Sequence, residues 1–156
     1  MPRDPIPTWN FALVVVRRGD EYLLVQESKD DQAWYLPGGR VELGESFVET
    51  AERETLEEAG VRVEVTGVLR VEHTPYPDAT ARCRVWFLAH PKGDPTPKSA
   101  PDEHSLSARW LKIEEVSKLP LRGEEALDAL CALAAGLPVA PLSVLTHEGA
   151  PWPKGR

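Results

Sequence analysis

Two cysteines, Cys83 and Cys131, are all the chain contains, and neither lies in a CxxC pair or beside histidines at zinc-ligand spacing. That excludes a disulfide-stapled scaffold and a Cys/His zinc site, and both thiols are expected to be reduced and buried. No apolar run approaches the roughly 20 residues that a membrane-crossing helix needs. The start, MPRDPIPTWN, has no continuous apolar stretch, so secretion is not expected and the compartment expected is the cytoplasm. Positive charge is in deficit: 18 Lys and Arg face 25 Asp and Glu, a net charge of −7. Broad, non-specific binding to a nucleic-acid polymer needs a basic surface, and the acidic balance argues against it. A small phosphorylated substrate is not excluded, because a bound metal inverts the local field. No internal repeat is present.

What remains is a chain of 156 residues with 42% hydrophobic content, enough for one domain with a sizeable core. Phe11–Arg17 (FALVVVR) reads as a buried strand and Glu21–Gln26 (EYLLVQ) as its hairpin partner across a Gly19-Asp20 turn. Trp34–Leu36 is a short strand, stopped by Pro37-Gly38-Gly39. A helix follows. Ser46 with Glu49 forms a capping box, Gly60 suits a left-handed C-terminal cap, and Val48, Ala51, Thr55 and Ala59 form a core-facing stripe. Val61–Val71 and Ala81–His90 are strands, Lys92–Glu103 a mobile loop, Ser107–Ile113 a strand, and Glu114–Lys118 a helical turn. Gly123–Ala135 is a second helix. One domain over residues 1–136 and a Pro-rich tail over 137–156, wrapped on the surface or disordered, are expected. Strands, helix, strands and helix in that order suit a mixed sheet between helices.

The helix carries a conflict. Glu54, Glu57 and Glu58 lie at spacings of three and four, so they share one face and repel each other. A divalent cation removes that repulsion. Mg²⁺, with Mn²⁺ as the alternative, prefers carboxylate oxygens and phosphate-bearing partners.

The segment GRVELGESFVETAERETLEEAGV closely resembles the Nudix box, Gly-x5-Glu-x7-Arg-Glu-U-x-Glu-Glu-x-Gly-U, where U is bulky and aliphatic. Gly39, Glu45, Arg53, Glu54, Glu57, Glu58 and Gly60 match each fixed letter, and Val61 matches the second U. Thr55 departs from the first U but is close in shape to Val, and its hydroxyl can bond to the preceding turn. Trp34–Gly39 resembles the family's usual lead-in.

This resemblance implies an α/β fold, the Nudix α/β/α sandwich with a mixed sheet flanked by helices. It implies metal ligands at Glu54, Glu57 and Glu58 and at the Gly38 carbonyl, and a pairing of Arg53 with Glu45 that holds the loop 40–44 on the helix. The implied activity is Mg²⁺-dependent hydrolysis of a nucleoside diphosphate linked to a group X. Glu57, Glu58, Arg53 and Glu103 are the catalytic candidates, and Glu57 and Glu103 compete as general base. Among the histidines, His73 and His104 lie near the proposed functional loops and His90 and His147 do not; a lone histidine reads as structural.

The substrate-binding candidates are Arg82 and Arg84, which share a strand face, and the aromatics Trp34, Tyr35, Tyr76 and Trp86, of which Trp34 and Tyr76 are preferred. Pro77 is placed like a proline of ADP-ribose pyrophosphatases. Glu103, Ser105, Trp110 and Leu119–Arg122 look like enzymes that remove oxidised guanine nucleotides. The alternatives are a catalytically silent nucleotide sensor, which has no need for three intact glutamates; isoprenyl diphosphate isomerase chemistry, which uses a cysteine motif absent here; and a glycosylase accessory domain, disfavoured by the acidic balance. The expected partner is a small nucleotide, with no membrane and no nucleic-acid polymer; a homodimer is expected by analogy alone.

Overall fold

The computed structural model describes residues 3–155; Met1, Pro2 and Arg156, ends of the expected domain and tail, lie outside the described residues. Seven strands form the sheet: β1 (Thr8–Arg18), β2 (Glu21–Gln26), β3 (Trp34–Tyr35), β4 (Gly38–Arg40), β5 (Val63–Pro75), β6 (Ala81–Pro91) and β7 (Ser107–Lys112). Three α-helices accompany them: α1 (Phe47–Ala59), α2 (Ile113–Val116) and α3 (Glu125–Ala134). The main path runs β3-β2-β1-β6-β5, with β4 on β1 and β7 on β2. β1 and β6 are parallel and the other pairs antiparallel, so the sheet is mixed.

Alternation along the strands builds two cores. Ala12, Val14 and Val16 of β1 join Leu23 and Val25 of β2, Val85 and Phe87 of β6, and Ala51 and Ala59 of α1. The intervening residues Leu13, Val15, Tyr22, Leu24 and Trp86 face the other way and pack with Val116, Ala126, Leu130 and Leu133 of α2 and α3. A period of two on a sheet buried on both faces gives the α/β/α sandwich. Thr55 is fully buried and donates its hydroxyl to the Ala51 carbonyl at 2.8 Å, which resolves its departure from an aliphatic residue.

Four local readings change. Gly38 and Gly39 do not end a strand; they form β4 and pair with Leu13 and Ala12. Local propensity marks a Pro-Gly-Gly run as a breaker, but here the glycines admit a close approach. A Cβ on Gly38 would lie 2.4 Å from the Ala12 carbonyl oxygen, and one on Gly39 would lie 2.2 Å from Oε1 of Glu54. β5 runs on to Pro75, held by pairing with β6 as far as Ala81. The loop expected to be mobile is tethered: the Lys98 N–H donates to the Ala59 carbonyl (2.9 Å), and the Trp110 indole N–H to the Pro95 carbonyl (2.7 Å). Cys131 is exposed and Cys83 only partly buried, because Cys131 falls on the outer side of α3.

After α3 the chain returns to the sheet. Val68 and Ala140 exchange two backbone hydrogen bonds of 2.9 Å, and Ala140, Leu142 and Leu145 pack on the first core. Among the described residues no helix is long and apolar enough to cross a membrane.

Candidate active site

α1 starts and stops as its caps dictate. The Ser46 hydroxyl accepts from the Glu49 N–H, Glu49 accepts from the Ser46 N–H, and Gly60 takes a left-handed φ of 72°. With the ends fixed, one face of the helix presents Arg53, Glu54, Glu57 and Glu58 towards β4. Arg53 is the hub. Its Nε and Nη2 fork onto Glu45 at 2.5 and 2.9 Å, Nη2 also reaches the Arg40 carbonyl, and Nη1 donates to Glu54 (3.0 Å) and Glu57 (3.1 Å). The guanidinium holds the Glu45 carboxyl at about 2, far below its usual value. A fork matched to a carboxylate adds geometry as well as charge, so the loop 40–45 is clamped to the helix. Thr50, buried under this loop, adds a hydroxyl bond to Glu45 at 2.8 Å.

The inner end of the same face is different. Burial pushes Glu54 up and pushes Glu58 up to about 8, and each further feels a neighbouring carboxylate: Glu57 acts on Glu54, and Glu54 and Glu27 act on Glu58. The Gly38 N–H donates to Glu58 at 3.0 Å, which offsets part of this cost. Two crowded carboxylates under a bare glycine backbone are a hard-oxygen donor set, and it fits a divalent cation such as Mg²⁺. Among the described residues no three acidic, His or Cys side chains converge on one point. Glu54 and Glu57 lean on Arg53 and Glu58 on Gly38, so a metal has to draw them off these partners.

A second segment closes over the end of α1. The buried Ser105 hydroxyl donates to the Glu58 carbonyl at 2.6 Å, and Asp102 accepts from the Lys98 ammonium (2.6 Å) and the His104 N–H (2.8 Å). His104 thereby stands with Nδ1 3.9 Å from Glu57 and Nε2 3.5 Å from Glu103. Glu103 itself is 86% exposed, and His104 stands between it and Glu57.

Beyond Glu58 lies a cavity of about 770 Å³, lined by Arg82, Arg84, Arg122, Glu125, Asp31 and Pro120 among others. The two strand-face arginines therefore share one cavity. Arg84 is committed to Glu72 (2.7 Å) and Glu125 (2.8 Å). Glu125 is held down at about 2 by Arg84, and also bonds the Tyr35 hydroxyl, whose pKa is pushed up to about 12 by burial. The Trp86 indole N–H bonds Glu72. Arg122 reaches Glu27 at 2.6 Å and covers the Tyr35 ring. Trp34 is buried in the second core at 5% exposure, with no free face for stacking, and Tyr76 sits exposed in the β5–β6 turn, outside the cavity lining.

Glu27, Asp31, Glu72 and Glu125 come to this site without having been singled out in the sequence, and Arg122 joins them. The five sit on three separate stretches of chain, 27–31, 72 and 122–125, and no spacing rule links one stretch to another. Only Arg122 carried a signal, as the end of the Leu119–Arg122 run.

Comparison with known proteins converges. The family model for the NUDIX domain matches residues 7–132. The chain is 40% identical over 126 residues to the 8-oxo-dGDP phosphatase of Homo sapiens, covering 78% of this chain and 37% of that protein. It thus spans little more than a third of that relative's length. It is 28% identical over 151 residues to the phosphatase NudJ of Shigella boydii, covering 96% of this chain and 97% of the relative. Among solved structures, a NUDIX hydrolase from Nitrosomonas europaea superposes with a TM-score of 0.73 at 24% identity, over 92% of this chain and 99% of the other. An ADP-ribose pyrophosphatase from Streptococcus suis superposes with a TM-score of 0.63 at 25% identity, over 82% and 92%.

Proposed function

We propose that this chain, which belongs to the NUDIX domain family, is a divalent-metal-dependent pyrophosphohydrolase that cleaves a nucleoside diphosphate derivative. The observation that carries the reading is the pair of half-buried, crowded carboxylates Glu54 and Glu58 beside the β4 glycines, with Arg53 locking the adjoining loop. Such a pair is costly to hold without a cation.

Glu54, Glu58 and the Gly38 carbonyl would hold the metal, Mg²⁺ first and Mn²⁺ as the alternative, and Glu57, once drawn off Arg53, would serve a second ion or a water. A bound metal supplies charge neutralisation at the phosphoryl oxygens and a more acidic water. The protein's own residues position the rest. Arg53 fixes the helix face and the loop, and Glu57 is assigned as general base because it lies on that face, whereas Glu103 is exposed to solvent. In the step, a water oxygen bonds to phosphorus, its proton passes to the Glu57 carboxylate, and the bridging P–O bond breaks to release a phosphorylated product.

The names of similar proteins support two substrate types, an oxidised guanine nucleotide and an ADP-ribose-like diphosphate. The test is product release from a panel of both types, nucleotide sugars and diadenosine polyphosphates, with Mg²⁺, for the wild-type protein and Glu58→Gln. Metal-dependent turnover lost in the variant supports hydrolysis. Tight nucleotide binding without turnover of any member would instead leave a nucleotide-sensing domain.

A further inference from the structure

In the cavity beyond Glu58, every guanidinium but one is matched by acids. Arg84 is held by Glu72 and Glu125, and Arg122 by Glu27. Arg82 is the exception: its guanidinium carbon lies over the Phe11 ring, 4.4 Å from the centroid, and its buried Nε–H has no hydrogen-bond partner. With no acid taking it, the Arg82 guanidinium at the cavity wall is left with donors that a ligand acceptor can satisfy.

The surroundings discriminate between acceptors. The three guanidiniums share the cavity wall with Asp31 and Glu125, and Glu72 and Glu27 neutralise Arg84 and Arg122, so a phosphate dianion would enter a region with no net positive charge. A neutral heterocycle carries no such penalty. The walls also suit a flat ligand, because Arg82 is backed by Phe11 and Arg122 by Tyr35 at 4.0 Å. Planar guanidiniums stacked on rings offer both a face and donor edges.

We propose that this cavity takes the base of the substrate, that the base is an oxopurine, and that Arg82 is the residue that selects it. The carbonyl and N7 of an oxopurine accept from arginine, as guanine does elsewhere. The ring N–H on the adjoining edge meets the carboxylates of Glu125 or Asp31. Adenine presents an amino donor where the carbonyl would be, against a group that can only donate. The link between Arg122, Glu27 and Glu58 puts the cavity next to the diphosphate end, as a base attached to that diphosphate requires. This assignment rests on the hydrolase reading for its substrate, but base preference and cleavage are read separately.

The test measures equilibrium binding of GDP, IDP and ADP by calorimetry, and in parallel their hydrolysis with Mg²⁺, for wild type, Arg82→Met and Arg82→Lys. Thermal melts check that each variant folds. The wild-type protein is expected to bind GDP and IDP about tenfold or more tighter than ADP, a preference that Arg82→Met removes and Arg82→Lys weakens. Equal wild-type affinities overturn the proposal, as does an Arg82→Met variant weakened equally for all three, the mark of a phosphate contact. If Arg82→Met does not fold, the wild-type preference and Arg82→Lys decide. A base preference without hydrolysis leaves this inference standing and removes the hydrolase reading; hydrolysis without base preference does the reverse.

Discussion

Glu45 and Glu58 are the same residue type at two ends of one site, and they are driven in opposite directions. Glu45 meets the Arg53 fork and is held at about 2; Glu58, buried beside Glu54, is pushed up to about 8. The first carboxylate is finished by the fold and does structural work. The second carries a desolvation cost that the Gly38 N–H offsets only in part, and the proposed cation is what would offset the rest.

The strongest way to break this contrast is Glu58→Gln. Turnover should fall by a factor on the order of a thousand or more, since the proposed metal would lose a ligand. The same change should raise the melting temperature of the metal-free protein in EDTA, and Mg²⁺ should no longer raise it. A variant that melts below wild type in EDTA would show that the carboxylate carries no stored cost.

Arg53→Ala attacks the other end. It strips Glu45 of its fork and leaves Glu54 and Glu57 facing each other, so a loss of about 2–3 kcal/mol in urea unfolding is expected. Arg53→Lys should recover only part of this, because a lysine cannot fork; full recovery would mean that charge alone holds the loop.

The pH dependence separates the ends further. A carboxyl raised in the native state binds more protons folded than unfolded, so stability falls as pH rises from the ordinary value of 4.5 through about 8. Glu45 has the opposite sign: its contribution is full above 4.5 and is lost only as pH falls towards about 2. Melts of the metal-free protein should therefore decline between these upper limits in the wild type and be flatter in Glu58→Gln. Equal slopes would remove Glu58 as the source.

Ser105→Ala should cost about 1 kcal/mol by releasing the loop from the Glu58 carbonyl. Glu103→Gln should have the smallest effect, with kcat changed less than about threefold, because the carboxylate is exposed to solvent. A large loss there, with a shifted pH–rate profile, would move the general base from Glu57 to Glu103.

Much of the site could be read without coordinates because it lies on one helix and its lead-in. Spacing alone puts Glu54, Glu57 and Glu58 on one face, and the caps at Ser46 and Gly60 are local hydrogen-bond chemistry. The pairing of Arg53 with Glu45 spans only eight residues and was also legible, through the box. The β4 strand was not. Its glycines look like a stop signal until β1 is laid alongside them, and pairing then overrides local preference. The tethered loop was misread for the same reason, since Lys98 and Pro95 are anchored by residues distant in sequence or on other elements.

The sequence by itself determined the two-faced strands, the capped acidic helix and the likeness to one family, because those depend on periodicity and short spacing. Only the tertiary structure decided which carboxylates are compensated. It alone brought Arg82, Arg84, Arg122 and Glu125 around one cavity, and it alone left Arg82 as the unmatched donor. Desolvation and pairing depend on what packs nearby in space, and for these residues the neighbours come from segments up to about ninety positions away.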